Sequence, residues 1–274
     1  MKILIAADME GISGVTNWDQ VTPGHFEYSR FRRIMTADVN AAIEGAFSAG
    51  ADQVVVTDGH ADGTNILIEE LDGRARLNAG NSSPFSMVQG IDGEVDGVMF
   101  VGYHACAGSK NAILDHTYSS KTVANLWLNE KLVGETGLNA ALCAHFNAPV
   151  IMISGDQTVC GEAKELLGSL EFAVVKQASG RMSAECLPLA IARDKICEAA
   201  ARAVTRLAAG TAPPVFHLSE PVQVAVEFQT ADMADRAARL PGVQRINGRR
   251  IEFSSSDMIA AHAGFRASVI LARS

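Results

Sequence analysis

Four short stretches, residues 3–7, 54–56, 98–101 and 150–153, are apolar at every position. A strand with one face in water alternates apolar and polar residues, so uninterrupted apolar runs belong to strands buried on both faces, as in a parallel sheet covered by helices. Between the first two runs, residues 31–47 carry apolar side chains at helical spacing and stop just before Gly50, a helix C-cap signal. This is a βαβ unit, whose crossover should be right-handed. The expected fold is α/β, with a central, mostly parallel sheet flanked by helices.

Further along, residues 127–133 read as strand, turn and strand, followed by a helix over 136–146 with Glu135 at its start. Val174-Val175 marks another strand, and an Ala- and Arg-rich helix covers about 188–209 before Gly210-Thr211-Ala212-Pro213-Pro214 breaks it. The Pro-Pro stretch is the best boundary in the chain. It divides a larger α/β domain, 1–212, from a smaller α+β unit, 213–274, with strands near 222–228 and 250–253 and helices near 231–240 and 257–272.

Composition narrows the function. At 274 residues, 48% hydrophobic and 20% charged, the chain can bury a sizeable core and matches ordinary globular proteins. The 31 Asp and Glu exceed the 23 Lys and Arg, a formal charge of -8 without the clustered cations that phosphate neutralisation needs, so no nucleic-acid partner is expected. Acid arrives at Asp8, before a signal peptide could form, and no run approaches the ~20 apolar residues of a membrane span, so a cytoplasmic protein with no membrane partner is expected. Five widely spread cysteines without a CxxC pair indicate neither a disulfide framework nor a thiolate metal site.

The chemistry lies where the apolar runs end. They run out in Asp8-Met9-Glu10-Gly11, Thr57-Asp58-Gly59-His60, Gly102-Tyr103-His104 and Ser154-Gly155-Asp156. Parallel strands bring these ends to one edge of the sheet, where open α/β folds build their sites. Asp8 and Glu10, two apart, share a face of an extended chain. With His60 and His104 they make a mixed N/O donor set suited to zinc or a similar transition ion, and a carboxylate able to bridge points to two ions. Each residue alone has a structural reading, Asp8 as a cap and each His as a hydrogen-bonded core residue; repetition at successive strand ends favours a shared site, with Asp156 in a structural or supporting role. A nucleotide-binding module without catalysis is the rival, but no GxGxxG follows the first strand and no GxxxxGK[ST] occurs.

Asp8-Met9-Glu10-Gly11-Ile12-Ser13-Gly14, Asp58-Gly59-His60, Pro84-Phe85-Ser86-Met87-Val88, Gly102-Tyr103-His104-Ala105, Asp115-His116-Thr117 and Gly134-Glu135-Thr136-Gly137-Leu138-Asn139-Ala140 together resemble the zinc-dependent D-aminopeptidases of the bacterial DppA type. The resemblance spans most of the chain. It implies two Zn²⁺ per chain bridged by Asp8, with Glu10, His60, His104 and Glu135 completing the ligands, Glu10 pairing with His104 and His60 with Glu135. It also implies a catalytic role for His116, a short peptide substrate, D-residue preference and a ring-shaped homodecamer. From its residues alone Glu135 reads as a helix-start acid stabilised by the dipole. A dinuclear amidase for another small amide remains the related alternative. Asp115 could orient His116, Asn139 and Ser13 could support the ligands, and His25, His145, His217 and His262 read as structural or solvated.

Overall fold

The computed structural model describes residues 1–81 and 83–273 and contains two sheets. In chain order the first part runs β1 (Lys2–Ala7), α1 (Tyr28–Ser48), β2 (Gln53–Asp58), β3 (Arg76–Asn78), β4 (Gly97–Val101), β5 (Val123–Leu128), β6 (Lys131–Val133) and α2 (Glu135–His145). It continues with β7 (Val150–Asp156), α3 (Gln157–Leu167), β8 (Glu171–Gly180), β9 (Ser183–Cys186) and α4 (Leu189–Ala208). The last part holds β10 (Val222–Phe228), α5 (Ala231–Ala237), β11 (Gln244–Arg245), β12 (Arg250–Ser255) and α6 (Met258–Arg273).

The larger sheet has the order β3-β2-β1-β4-β7-β8-β9, parallel throughout except for β9. The fold is thus the expected α/β class. Successive side chains of a strand face opposite sides, and in β1 both sides are dry. Ile3, Ile5 and Ala7 enter a core shared with α1 and α4, while Leu4 and Ala6 enter one shared with α2, α3 and the smaller sheet. From β1 the chain moves outward to β2 and β3, then returns to lay β4 on the other side of β1. That reversal opens a crevice beyond the carboxyl ends of β1 and β4.

The smaller antiparallel sheet has the order β11-β12-β10-β5-β6. Its central strand β10 pairs with β5, Val224 opposite Leu128, so this sheet crosses the division at 212/213. The Pro-rich break lies between α4 and β10, but polarity and breakers are local properties, whereas strand pairing joins residues about a hundred positions apart. Element ends shift for a similar reason. The strand at 150–153 extends through Asp156, because hydrogen bonding continues past the last apolar side chain. Among the described residues no helix is long and apolar enough to cross a membrane.

Candidate metal centre

Asp8 follows β1, and the two strand ends stay joined beyond the sheet through Asp8 N–H to Val101 O (2.8 Å) and Gly11 N–H to Gly102 O (2.8 Å). A Cβ on Gly11 would lie 1.9 Å from Tyr103 O, so only glycine allows this approach. His60 rides on a loop closed by Asp58, whose carboxylate accepts from Asn65 N–H (2.6 Å), Asn65 Nδ2 (2.7 Å) and Ile66 N–H (2.7 Å). His104 lies three residues past β4, and Glu135 opens α2, where the positive end of the helix favours an anion. His116 comes from the long connection between β4 and β5.

Asp8, Glu10, His60, His104, His116 and Glu135 are all buried and converge. His60 Nδ1 lies 3.2 Å from Asp8 Oδ1 and 3.0 Å from Glu10 Oε2; His104 Nε2 lies 3.1 Å from Glu135 Oε1 and 3.5 Å from Asp8 Oδ2. His116 Nε2 stands 3.7 Å from Glu135 Oε1 and 3.9 Å from Glu10 Oε1. The shortest contacts set His60 against Asp8 and Glu10, and His104 against Glu135 and Asp8. Ligand atoms of Asp8, Glu10 and His104, and of His104, His116 and Glu135, lie within 4.8 Å of one another, close enough in each case to share an ion.

Each imidazole has its other nitrogen tied to a main-chain carbonyl: His60 Nε2 to Val21 O (2.7 Å), His104 Nδ1 to Ala105 O (3.0 Å) and His116 Nδ1 to Leu114 O (2.8 Å). Donation to the carbonyl fixes the tautomer and turns the free nitrogen toward the carboxylates, the arrangement that orients metal-ligating histidines. Asp8 Oδ2 and Glu10 Oε2 have no hydrogen-bond partner; His60 Nδ1 is close to Glu10 Oε2 but misaligned for one. Two buried carboxylate oxygens without a donor are costly unless a cation meets them. The donor set thus fits divalent ions.

The acids and imidazoles are strongly coupled, and a bound cation would take the place of the protons that the acids otherwise hold on His60 and His104. Burial, then the neighbouring charge of Glu10, pushes the Asp8 carboxyl up to about 7. Burial also disfavours charge on Glu10 and Glu135, but the facing histidines outweigh it and hold both below the usual carboxylate range. Conversely, the acids overcome burial to hold His60 well above its ordinary value and His104 at about 10. His116 is pulled down by burial and by His104, which stacks on it at 3.9 Å, so its ring stays neutral. Above this cluster opens a cavity of about 440 Å³, walled by Trp18, Met87 and Tyr118 and rimmed by Lys121 and Arg273.

A family model described as D-aminopeptidase matches residues 1–267. The chain belongs to the D-aminopeptidase family. A curated D-aminopeptidase from Bacillus subtilis (strain 168) is 35% identical over 263 residues, covering 96% of this chain and 94% of the relative. Among solved structures, the Zn-dependent D-aminopeptidase DppA from Bacillus subtilis, a self-compartmentalizing protease, superposes with a TM-score of 0.95 at 33% identity, covering 100% of this chain and 98% of that one. The chain is accordingly a peptidase, a hydrolase of peptide bonds.

Other residues singled out in this D-aminopeptidase-family sequence take supporting places. Asp156 caps α3, accepting from Thr158 and Val159 N–H, and also accepts from Ile113 N–H (2.7 Å). Asp115 turns away from His116 to Gly108 N–H (2.7 Å) and Arg181 Nε (2.7 Å). Asn139 donates to Tyr103 Oη (2.9 Å), and Ser13 gives its N–H to Asp38 (2.9 Å). His25 stands half-exposed beside Asp19, whereas His262 is buried in α6. The sequence motifs did not point to Trp18, whose ring meets the edge of His116 at 5.6 Å, or to Lys176, whose buried ammonium donates to three main-chain carbonyls. Trp18 left no signal in its local pattern; a lysine closing the apolar run Ala173-Val174-Val175 did.

Proposed function

We propose that this chain is a dinuclear zinc aminopeptidase that removes the N-terminal residue, a D-amino acid, from short peptides or amino-acid amides. One observation carries the reading: three imidazoles, each anchored to a carbonyl, turn their free nitrogens onto three carboxylates, two of whose buried oxygens have no hydrogen-bond partner. A mixed N/O donor set of this kind suits zinc better than calcium. Asp8 would be shared by two ions held with Glu10, His60, His104 and Glu135; donor atoms of Asp8, Glu10 and His104 lie within 4.8 Å of one another, which supports Glu10 with His104 on one ion and leaves His60 with Glu135 for the other. The zinc dependence of the solved relative supports the choice of metal.

When bound, two bridged ions supply Lewis acidity for the substrate's amine and scissile carbonyl and make water more acidic. The protein's own part falls chiefly to His116. With its proton on Nδ1 and its ring neutral, Nε2 presents a lone pair to the cavity and can take a proton from water and return it to the leaving amine. Trp18 and the stacked His104 hold the ring in place. Trp18, Met87 and Tyr118 give the bound residue an apolar wall, and an adjoining recess of about 650 Å³ offers room for the rest of a short peptide. The family description and the curated relative support the D-residue preference. A homo-oligomer, in the form of a ring-shaped decamer whose inner channel excludes folded proteins, is supported by the description of the solved relative as self-compartmentalizing.

The test is hydrolysis of matched D- and L-alanyl amides and dipeptides by purified protein, before and after chelation and after zinc is returned. Cleavage of the D form that stops with chelator and resumes with zinc is the expected result. Zinc-dependent cleavage of the L form alone would overturn the stereochemical assignment, and zinc binding without cleavage of either would move the substrate to another small amide.

A further inference from the structure

Lys176, on β8, is buried at 1% exposure, and among the described residues its ammonium makes no direct ion pair, although Asp156, Asp38 and Glu10 act on it from further away. Nζ donates instead to three main-chain carbonyls, Glu10 O (2.7 Å), Ile12 O (2.9 Å) and Val15 O (2.9 Å). That uses all three N–H groups of an ammonium. Burying a charge with no carboxylate in direct contact is costly, and methionine would fill the same space without that cost. A lysine here therefore holds something that an apolar side chain could not.

What it holds is the loop carrying Asp8 and Glu10. Residues 8–13 are buried in turn without forming helix or strand. On one side the loop is pinned where Gly11 meets Gly102 and Tyr103. On the other, its carbonyls at 10, 12 and 15 converge on one point, where three like-oriented dipoles repel unless a donor sits between them. Glu10 lies between the two pins, and its own carbonyl is one of the three acceptors.

We propose that Lys176 is a positioning residue for the metal centre, wrapping the chain after β1 around its ammonium so that the Glu10 carboxylate is held in place before any ion arrives. This rests on the dinuclear reading above. Sign separates it from a purely electrostatic role. Removing a positive charge near an acidic site by itself tightens cation binding, so weaker binding in a neutral variant reports lost positioning.

The experiment is zinc titration of wild-type protein and Lys176→Met in competition with a chromogenic chelator, with the melting temperature of each metal-free protein measured alongside. The expected result is zinc affinity weakened about 10- to 100-fold in the variant, the usual effect of removing a partner behind a ligand. Affinity equal to or tighter than wild type overturns the proposal. No zinc binding by the wild type overturns the dinuclear reading instead. Should Lys176→Met fail to fold, amide exchange in wild-type metal-free protein decides. Protection of Gly11, Ser13 and Val15 matching that of Ile5 in β1 supports a loop held by the protein itself, and exchange at the rate of an exposed loop refutes it.

Discussion

Gly11→Ala tests whether the backbone stitch between β1 and β4 sets the geometry of the centre. The new Cβ would stand 1.9 Å from Tyr103 O and 2.5 Å from Gly102 C, both main-chain atoms that no rotamer change can move. Relieving the first contact needs a displacement of about 1 Å, and a misplacement of that size near reacting groups costs roughly 100-fold in rate. Glu10 is the adjacent residue, so the displacement falls on a proposed ligand. The overpacking should also cost about 1–3 kcal/mol of stability, a fall of roughly 2–12 °C in Tm for a chain of this size. Turnover of a D-alanyl amide with saturating zinc, and thermal melting of the same preparations, measure both. Gly161→Ala is the control: it lies within α3, no heavy atom comes within 4 Å of its added Cβ, and alanine is the better helix former. A Gly11→Ala enzyme within threefold of wild-type kcat/KM would refute the claim that this stitch frames the centre.

His116→Ala should keep two zinc ions per chain, counted by elemental analysis, while kcat falls by about 100- to 10,000-fold, the usual contribution of a positioned acid-base group; unchanged turnover would remove His116 from the reaction. His262 gives a pH prediction remote from the centre. Burial, then Arg266, lowers its pKa from 6.5 to about 4, so the unfolded chain binds the proton first. The stability due to the neutral ring is complete above pH 6.5 and is lost as pH falls toward 4, by about 3 kcal/mol at about 1.4 kcal/mol per pH unit. Denaturant unfolding at pH 7 and pH 4 should show wild type losing that much more than His262→Leu, and parallel losses would contradict it.

Some of this was legible in the sequence for a physical reason. Burial on both faces leaves a local record, because every side chain in a run such as Ile3-Leu4-Ile5-Ala6-Ala7 must be apolar, so the parallel strands could be read directly. Asp8, His60 and His104 were legible because such runs end at the site. Glu135 was not, since an acid in a first helical turn is common and only the fold brings it 3.1 Å from His104. Nor could the pairing of β5 with β10 be read, because each strand is ordinary by itself and only their hydrogen bonds show that the smaller sheet takes in residues 123–133.

That pairing gives the smaller sheet its place in the functional argument. Asp8, His60 and His104 come from the ends of parallel strands and are set by the twist and register of one sheet. Glu135 follows directly from β6, the edge strand of the other sheet, and its helix packs against α6. The candidate centre therefore lies at a seam, with Asp8, Glu10, His60 and His104 beyond the strand ends of one sheet and the fifth donor, Glu135, on an element anchored by the other. Between β4 and β7 the chain leaves the parallel sheet, builds β5 and β6, and returns through α2, and this excursion also carries His116. A glutamate held in this way in the first turn of a helix reaches His104 from outside the parallel sheet, and with Asp8, Glu10, His60 and His116 it lines the cavity beyond the strand ends.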